Sequence, residues 1–121
     1  MTDARQAFGK LGENIAVEEL ERRGYEILAR RYRTRHGEID IVARDRGTIV
    51  FVEVKARATA EFGTAAEAVT IAKQRRLGSM AADYLARNRI SNCPCRFDVV
   101  AIDGAGDGMS MTVYQGAFIL T

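Results

Sequence analysis

No stretch of this chain approaches the ~20 consecutive apolar residues that a membrane-spanning helix needs. Its start, M-T-D-A-R-Q-A-F-G-K, also lacks the apolar core of a secretory signal. A cytoplasmic protein with no membrane partner is therefore expected. Metal-binding soft ligands are scarce: there are 2 cysteines, in C-P-C at Cys93 and Cys95, and 1 histidine, His36. These are too few for a four-ligand zinc site, the spacing is not C-x-x-C, and a C-x-C disulfide would be strained. Two free thiols are expected, with His36 in a loop before Gly37. Linkers, repeats and low-complexity tracts are missing too, so residues 1–121 should form one domain around a single core. The net charge of +2 is too small to argue for a nucleic-acid partner by itself.

What is present is the composition of a folded globular protein, with 47% hydrophobic and 28% charged residues. Of the 18 basic residues, 15 are Arg, clustered in R-R-Y-R-T-R (Arg30 to Arg35) and at Arg75-Arg76. A guanidinium fork suits phosphate. A GC-rich genome would give the same bias, and composition alone does not separate the two explanations.

Periodicity predicts a helix over about Asp3 to Arg23, with Phe8, Leu11 and Ile15 on one stripe and Ala16 and Leu20 beside it. Gly24 is a natural stop. A strand from Tyr25 to about Arg33 follows. Two more run over about Glu38 to Ala43 and Thr48 to Ala56, joined through Asp45-Arg46-Gly47. The segment Ile49 to Val54 is apolar on both faces, which marks a central strand. A second helix is expected over about Ala65 to Asn88, carrying Ala68, Ile71, Ala72, Arg75, Ala82 and Leu85. The chain turns at Pro94 and ends in strands over Arg96 to Ile102 and Met109 to about Tyr114. The order αβββαββ makes an α/β fold, a mixed central sheet flanked by helices.

Three charges interrupt the apolar strands: Asp40 in G-E-I-D-I-V, and Glu53 and Lys55 in F-V-E-V-K. Glu53 and Lys55 project from one face of their strand, as Glu38 and Asp40 do from theirs. With Arg46-Gly47 as a two-residue turn, Asp45 faces Thr48 and Asp40 falls opposite Glu53. Arg-Gly is not the pair such turns favour, and a one-residue slip would send Asp40 to the other face. Two carboxylates facing each other repel unless a cation joins them. Mg²⁺ or Mn²⁺ would do so, being held by one or two carboxylates with water and phosphate. A structural ion pair to Lys55, or exposure on an edge strand, would also relieve the repulsion. Glu13 lies on the shoulder of the first helix, in line with Val17 and Leu20. There it can look toward the sheet or sit at the surface beside Glu18, Glu19 and Glu21.

These residues resemble a known pattern. Asp40, followed in the next strand by E-V-K, resembles the core of PD-(D/E)xK nucleases, although Ile39 stands where that core usually has Pro. More closely, the chain resembles the YraN-like family of small bacterial proteins, which are similar to archaeal Holliday-junction resolvases. The shared features are G-x-x-G-E (Gly9 to Glu13), R-R-G-Y-E-I-L, G-E-I-D-I-V, F-V-E-V-K-A-R, F-G-T-A, Lys73 and R-F-D-V-V. The resemblance implies a single restriction-endonuclease-like domain that hydrolyses phosphodiester bonds. It implies Mg²⁺ or Mn²⁺ on Asp40 and Glu53, with the Val54 carbonyl and Glu13 as further ligands. Lys55 would orient water or hold the scissile phosphate. Glu38 and Arg57 would support a ligand and a phosphate, and Lys73 and Gln74 would stand near the site. The exonuclease pattern Q-x-x-x-Y is absent, since Gly78 occupies the Tyr position.

The expected partner is DNA, and the junction analogy brings the expectation of a homodimer, because a four-way junction offers two symmetric cuts. Two other classes remain open: a non-catalytic nucleic-acid-binding module driven by the Arg clusters, and a protein-interaction module built on the same scaffold.

Overall fold

The computed structural model describes residues 4–57, 69–104 and 108–118, with side chains reported from Leu11 to Ala56 in the first of these segments. Helix α1 spans Ala4–Arg22, β1 Glu26–Thr34, β2 Gly37–Asp45 and β3 Thr48–Arg57. Helix α2 spans Ile71–Arg87, β4 Cys95–Asp103 and β5 Ser110–Phe118. The strands form one five-stranded sheet in the order β1-β2-β3-β4-β5, antiparallel except for the parallel β3–β4 pair that α2 connects. This is the αβββαββ α/β arrangement expected from the pattern. β3 is central, with Ile49, Val50, Phe51 and Val52 all buried.

The β2–β3 hairpin has the expected register. Asp45 pairs with Thr48 and the ladder runs back to Ile41 opposite Val52. Arg46 and Gly47 take φ of 51° and 88°, the two positive angles that a tight hairpin turn requires. Arginine tolerates this conformation poorly and Asn tolerates it well. Arg46→Asn should therefore stabilise the fold by about 0.5–1 kcal/mol, read as a higher urea midpoint at unchanged slope.

Two cores lie on opposite faces of the sheet. Ala16, Leu20, Tyr25, Ile41, Val50, Val52, Val100 and Ile102 pack under α1. Ile39, Val42, Phe51, Leu77, Met80, Tyr84 and Val99 pack under α2. Tyr84 meets Tyr32 and Phe51 edge-on, with ring centroids at 5.1 and 5.9 Å.

Each helix turns part of the expected face to the sheet, with Ile15, Ala16 and Leu20 of α1 and Leu85 of α2 on the core. Both are nevertheless rolled from the stripe that periodicity suggested. In α1, Leu11 is 56% exposed, while Ala16 and Leu20 are buried and a Cβ added at Gly12 would meet Ala56 Cβ at 3.1 Å. The absence of a side chain at Gly12 lets the helix approach the sheet along Gly12, Ala16 and Leu20, which rolls Leu11 outward. In α2, Leu77, Met80, Ala81 and Tyr84 form the buried stripe, while Ile71, Ala72, Arg75 and Ala82 are exposed. The helix also starts later than expected. Thr70 is its N-cap, accepting from Lys73 N–H at 3.2 Å, and Val69 and Thr70 are not helical. The expected first turns at 65–68 and the F-G-T-A segment lie outside the described residues. Cys93 and Cys95 are free thiols, and His36 is exposed in the β1–β2 turn, as expected. No helix among the described residues is long and apolar enough to cross a membrane.

Candidate active site

The regular alternation of β2 fails around Asp40. Ile39 and Val42 both enter the α2-side core although they are three residues apart, while Ile41 turns to the α1 side. On the neighbouring strand, Arg31 takes a φ of 51°, between the Arg30–Ile41 and Tyr32–Ile39 pairs. A long side chain held at positive φ inside a strand is strained, and such strain collects at functional sites. Asp40 departs from the ladder here, and its Oδ2 accepts the Val54 N–H at 2.8 Å. The carboxylate thus takes a β3 backbone donor beyond the last regular β2–β3 pair.

Asp40 and Glu53 line one hollow of about 260 Å³, together with Gly37, Glu38, Lys73, Arg76 and Met80. Glu53 is 5% exposed, and its Oε1 lies 2.5 Å from Lys73 Nζ. Burial, then the Glu53 charge, push the Asp40 carboxyl up from 3.8 to about 7. The Val54 N–H and Lys73 act in the opposite direction, and the Glu13 charge adds to the rise. The hollow is a place where negative charge is under-compensated, and a cation would be held there.

Each residue expected at the site can now be placed. Asp40, Glu53, Glu38 and Lys73 share the hollow. Glu38 also pairs with Arg33 at 3.2 Å on its exposed side. Glu13 is mostly buried, its side chain 16% exposed, and accepts from Arg31 Nε at 3.0 Å. It therefore looks toward the sheet and is not a surface glutamate. Val54 contributes its N–H, while its side chain packs on the α1 side.

Lys55 does not neutralise Glu53; Lys73, reaching over from α2, does. Lys55 projects from the same face as Glu53, about 7 Å along the strand, and is not part of the wall of the hollow. Gln74 does not line it either, because its side-chain amide donates to the Val69 carbonyl at 3.2 Å and closes the start of α2. Arg57 pairs through its backbone with Asp103, and its side chain lies outside the described set.

Arg76 was not expected in the wall. Its signal is its place three residues after Lys73, on the same flank of one helix. Arg31 belongs to the arginine cluster noted in the sequence, but its contact with Glu13 follows from a backbone irregularity that the sequence does not signal.

The donor set fits a hard divalent cation, which takes one or two carboxylates and completes its shell with water and phosphate. Among the described residues, no three acidic, Cys or His side chains converge closely enough to hold an ion unaided. Asp40 and Glu53 are the two that would share it.

A second charged cluster lies at the other end of the sheet. Asp98, fully buried, accepts from Arg96 Nε at 2.9 Å, Arg96 Nη2 at 3.2 Å, Tyr25 Oη at 2.9 Å and Gly116 N–H at 3.0 Å. Arg96 also reaches Asp45 Oδ2 at 2.8 Å. The i, i+2 spacing of Arg96 and Asp98 in R-F-D puts both on one strand face. Every acceptor site of this carboxylate is occupied, as a structural site requires and a catalytic one does not.

Comparison with known proteins is uniform. The uncharacterised protein family UPF0102 matches residues 12–102, a span that includes both charged clusters. A UPF0102 protein of Symbiobacterium thermophilum is 50% identical over 111 residues, covering 91% of this chain and 94% of its own. Another, of Lachnoclostridium phytofermentans, is 54% identical over 99 residues, 81% of this chain and 84% of its own. One of Ralstonia pickettii is 53% identical over 104 residues, 82% of each.

Proposed function

The chain belongs to the UPF0102 family, and from the Asp40–Glu53 hollow we propose that it is a metal-dependent endonuclease that hydrolyses phosphodiester bonds in DNA. The supporting observation is the convergence of a buried carboxylate, Glu53, and a half-buried one, Asp40, from adjacent strands, on a hollow that also holds a lysine and an arginine. Such a mixture suits a phosphate bridged to a cation, since the acids hold the metal and the bases hold the anion.

In this reading Asp40 and Glu53 carry Mg²⁺ or Mn²⁺, with the Val54 carbonyl and Glu13 as the further ligands that the family resemblance suggests. The ion would supply Lewis acidity and an acidified water. Arg76 and Lys73 face the non-bridging oxygens of the phosphate. Lys55 is the residue the resemblance assigns to the attacking water, and Lys73 competes for that role by its position. Branched DNA, cut by a homodimer, is the substrate the resolvase likeness favours. The Lys73–Glu53 pair also supports a second reading. A lysine that satisfies Glu53 without any metal would serve a non-catalytic DNA-binding module equally well.

The deciding experiment is cleavage of labelled four-way junction, flap, duplex and single-stranded DNA with Mg²⁺ or Mn²⁺. The protein is compared with Glu53→Ala, Lys55→Ala and Lys73→Ala, each checked for folding by circular dichroism. Metal-dependent cutting that falls at least about 100-fold in Glu53→Ala is expected. Whichever lysine variant loses a similar factor carries the water or phosphate. No cutting, together with no metal binding by calorimetry, overturns the nuclease and leaves the binding module.

A further inference from the structure

The hollow at Asp40 has a neighbour along α2. A second hollow of about 460 Å³ lies further along that helix, lined by Arg35, His36, Ser79, Ala82, Asp83 and Arg87. The β1–β2 turn borders both: Arg35 and His36 face one, and Gly37 and Glu38 face the other. At the join, a Cβ added to Gly37 would lie 3.6 Å from Met80 Sδ and 3.9 Å from Arg76 Cδ. The turn is therefore seated directly against the helix. It is also fixed internally, with Thr34 Oγ1 accepting the His36 N–H at 3.0 Å and lying 3.0 Å from the Gly37 carbonyl oxygen.

Beyond the Asp40–Glu53 hollow, cations outnumber acids along this path, with Arg35, Arg76 and Arg87 against Asp83. Lys73, Arg76, Asp83 and Arg87 fall on one flank of α2 by helical spacing. Asp83 is already engaged: Tyr32 Oη donates to its Oδ2 at 2.9 Å, and Arg87 Nε lies 3.3 Å from the same oxygen. It therefore anchors Arg87 and does not offset the others. Arg35 and Arg76 are exposed and have no carboxylate partner among the described residues. The eleven residue steps from Arg76 to Arg87 rise about 16 Å, the length of about five nucleotide steps of a stacked strand. The small residues Ser79 and Ala82 keep the floor low between the arginines. The cations of the path are spaced along a line, as a phosphate backbone is.

We infer that this groove between α2 and the β1–β2 turn is the track of the DNA strand leaving the Asp40–Glu53 hollow, with Arg35, Arg76 and Arg87 on its backbone phosphates. The inference rests on the nuclease reading of the hollow and adds which way the substrate runs. Binding along the track is independent of sequence, and its strength depends on salt, because each neutralised phosphate releases counterions.

The test is fluorescence anisotropy of a labelled 30-nucleotide single strand and its duplex, from about 50 to 200 mM salt, on the full chain without added metal. The protein is compared with Arg35→Gln/Arg87→Gln and with Arg44→Gln, which changes an arginine paired to Glu26 at the far end of β2. The double variant should bind about tenfold or more weakly at low salt, with a log–log salt slope shallower by about 2. The Arg44 variant should keep the wild-type slope. Cleavage of the same DNA with metal is measured in parallel. Cutting by wild type with an unchanged slope in the double variant overturns the track and leaves the nuclease standing. A reduced slope with no cutting by wild type supports the track and overturns the nuclease. No binding of either DNA by wild type overturns the track, and the nuclease then stands or falls on the cleavage arm.

Discussion

Asp40→Asn is expected to raise the stability of the metal-free protein above neutral pH and to remove its metal-dependent cleavage of DNA. Burial and the neighbouring Glu53 lift the Asp40 carboxyl from 3.8 to about 7. Between those two values the folded chain holds a proton that the unfolded chain has released. Stability therefore falls as pH rises through this window, and the full penalty is present above about pH 7. Asparagine carries no charge and keeps an oxygen to accept the Val54 N–H, so it removes the penalty and spares the hydrogen bond.

A gain of up to about 4 kcal/mol at pH 8 follows from a shift of this size, shrinking to nearly nothing near pH 4. Thermal melts over pH 4–8 in chelator would show it. Saturating Mg²⁺ should raise the wild-type midpoint, because a ligand that binds only the folded state stabilises it. It should leave the variant nearly unmoved, with cleavage down at least about 100-fold. A variant less stable than wild type at pH 8, or one that metal still stabilises equally, would show that Asp40 is a structural carboxylate.

Asp98→Ala acts through stability alone and should be the most damaging single change in the described chain. It leaves the Arg96 guanidinium and the Tyr25 hydroxyl without their buried acceptor and frees the Gly116 N–H. Arg96 is held well above the usual arginine range chiefly by Asp98, against the opposing effect of burial. Stripping one partner from such a pair costs about 3–5 kcal/mol, a large share of the about 5–15 kcal/mol that holds a domain together. The expected reading is a collapse of the urea midpoint with little change in slope. Arg96→Met/Asp98→Ala should recover part of the loss, because it removes both buried charges together and leaves only the less buried Asp45 without its partner. A double variant as unstable as the single one would mean that the cluster contributes through shape and not through charge pairing.

The hairpin and the two carboxylates were legible in the sequence because both depend on local rules. A strand alternates every two residues, and a two-residue turn sets the pairing, so Asp40 and Glu53 could be placed on one face by counting. Lys73 could not be placed that way. It precedes the buried stripe of α2 by one turn, and it reaches Glu53 only because that stripe is Leu77, Met80, Ala81 and Tyr84. Counting instead favoured Ile71, Ala72, Arg75 and Ala82, which the fold leaves exposed, together with Leu85, which does pack on the core. The alternative pairing of Lys55, two residues along the strand, with Glu53 is not made; Glu53 pairs instead with a residue 20 positions away.

The same division holds across the molecule. The sequence by itself determined the order of elements, the central strand, the turn at Arg46-Gly47, the free thiols and the family, since each is written in neighbouring residues or in runs of motif. Only the tertiary structure decided which face each helix turns to the sheet, where β2 leaves its ladder, and which cation meets which acid. The close approach at Gly12 depends on Ala56 and Ile102, and the positive φ of Arg31 sits beside the break at Asp40. Those are relations between distant segments, and packing energy settles them where local propensity is silent.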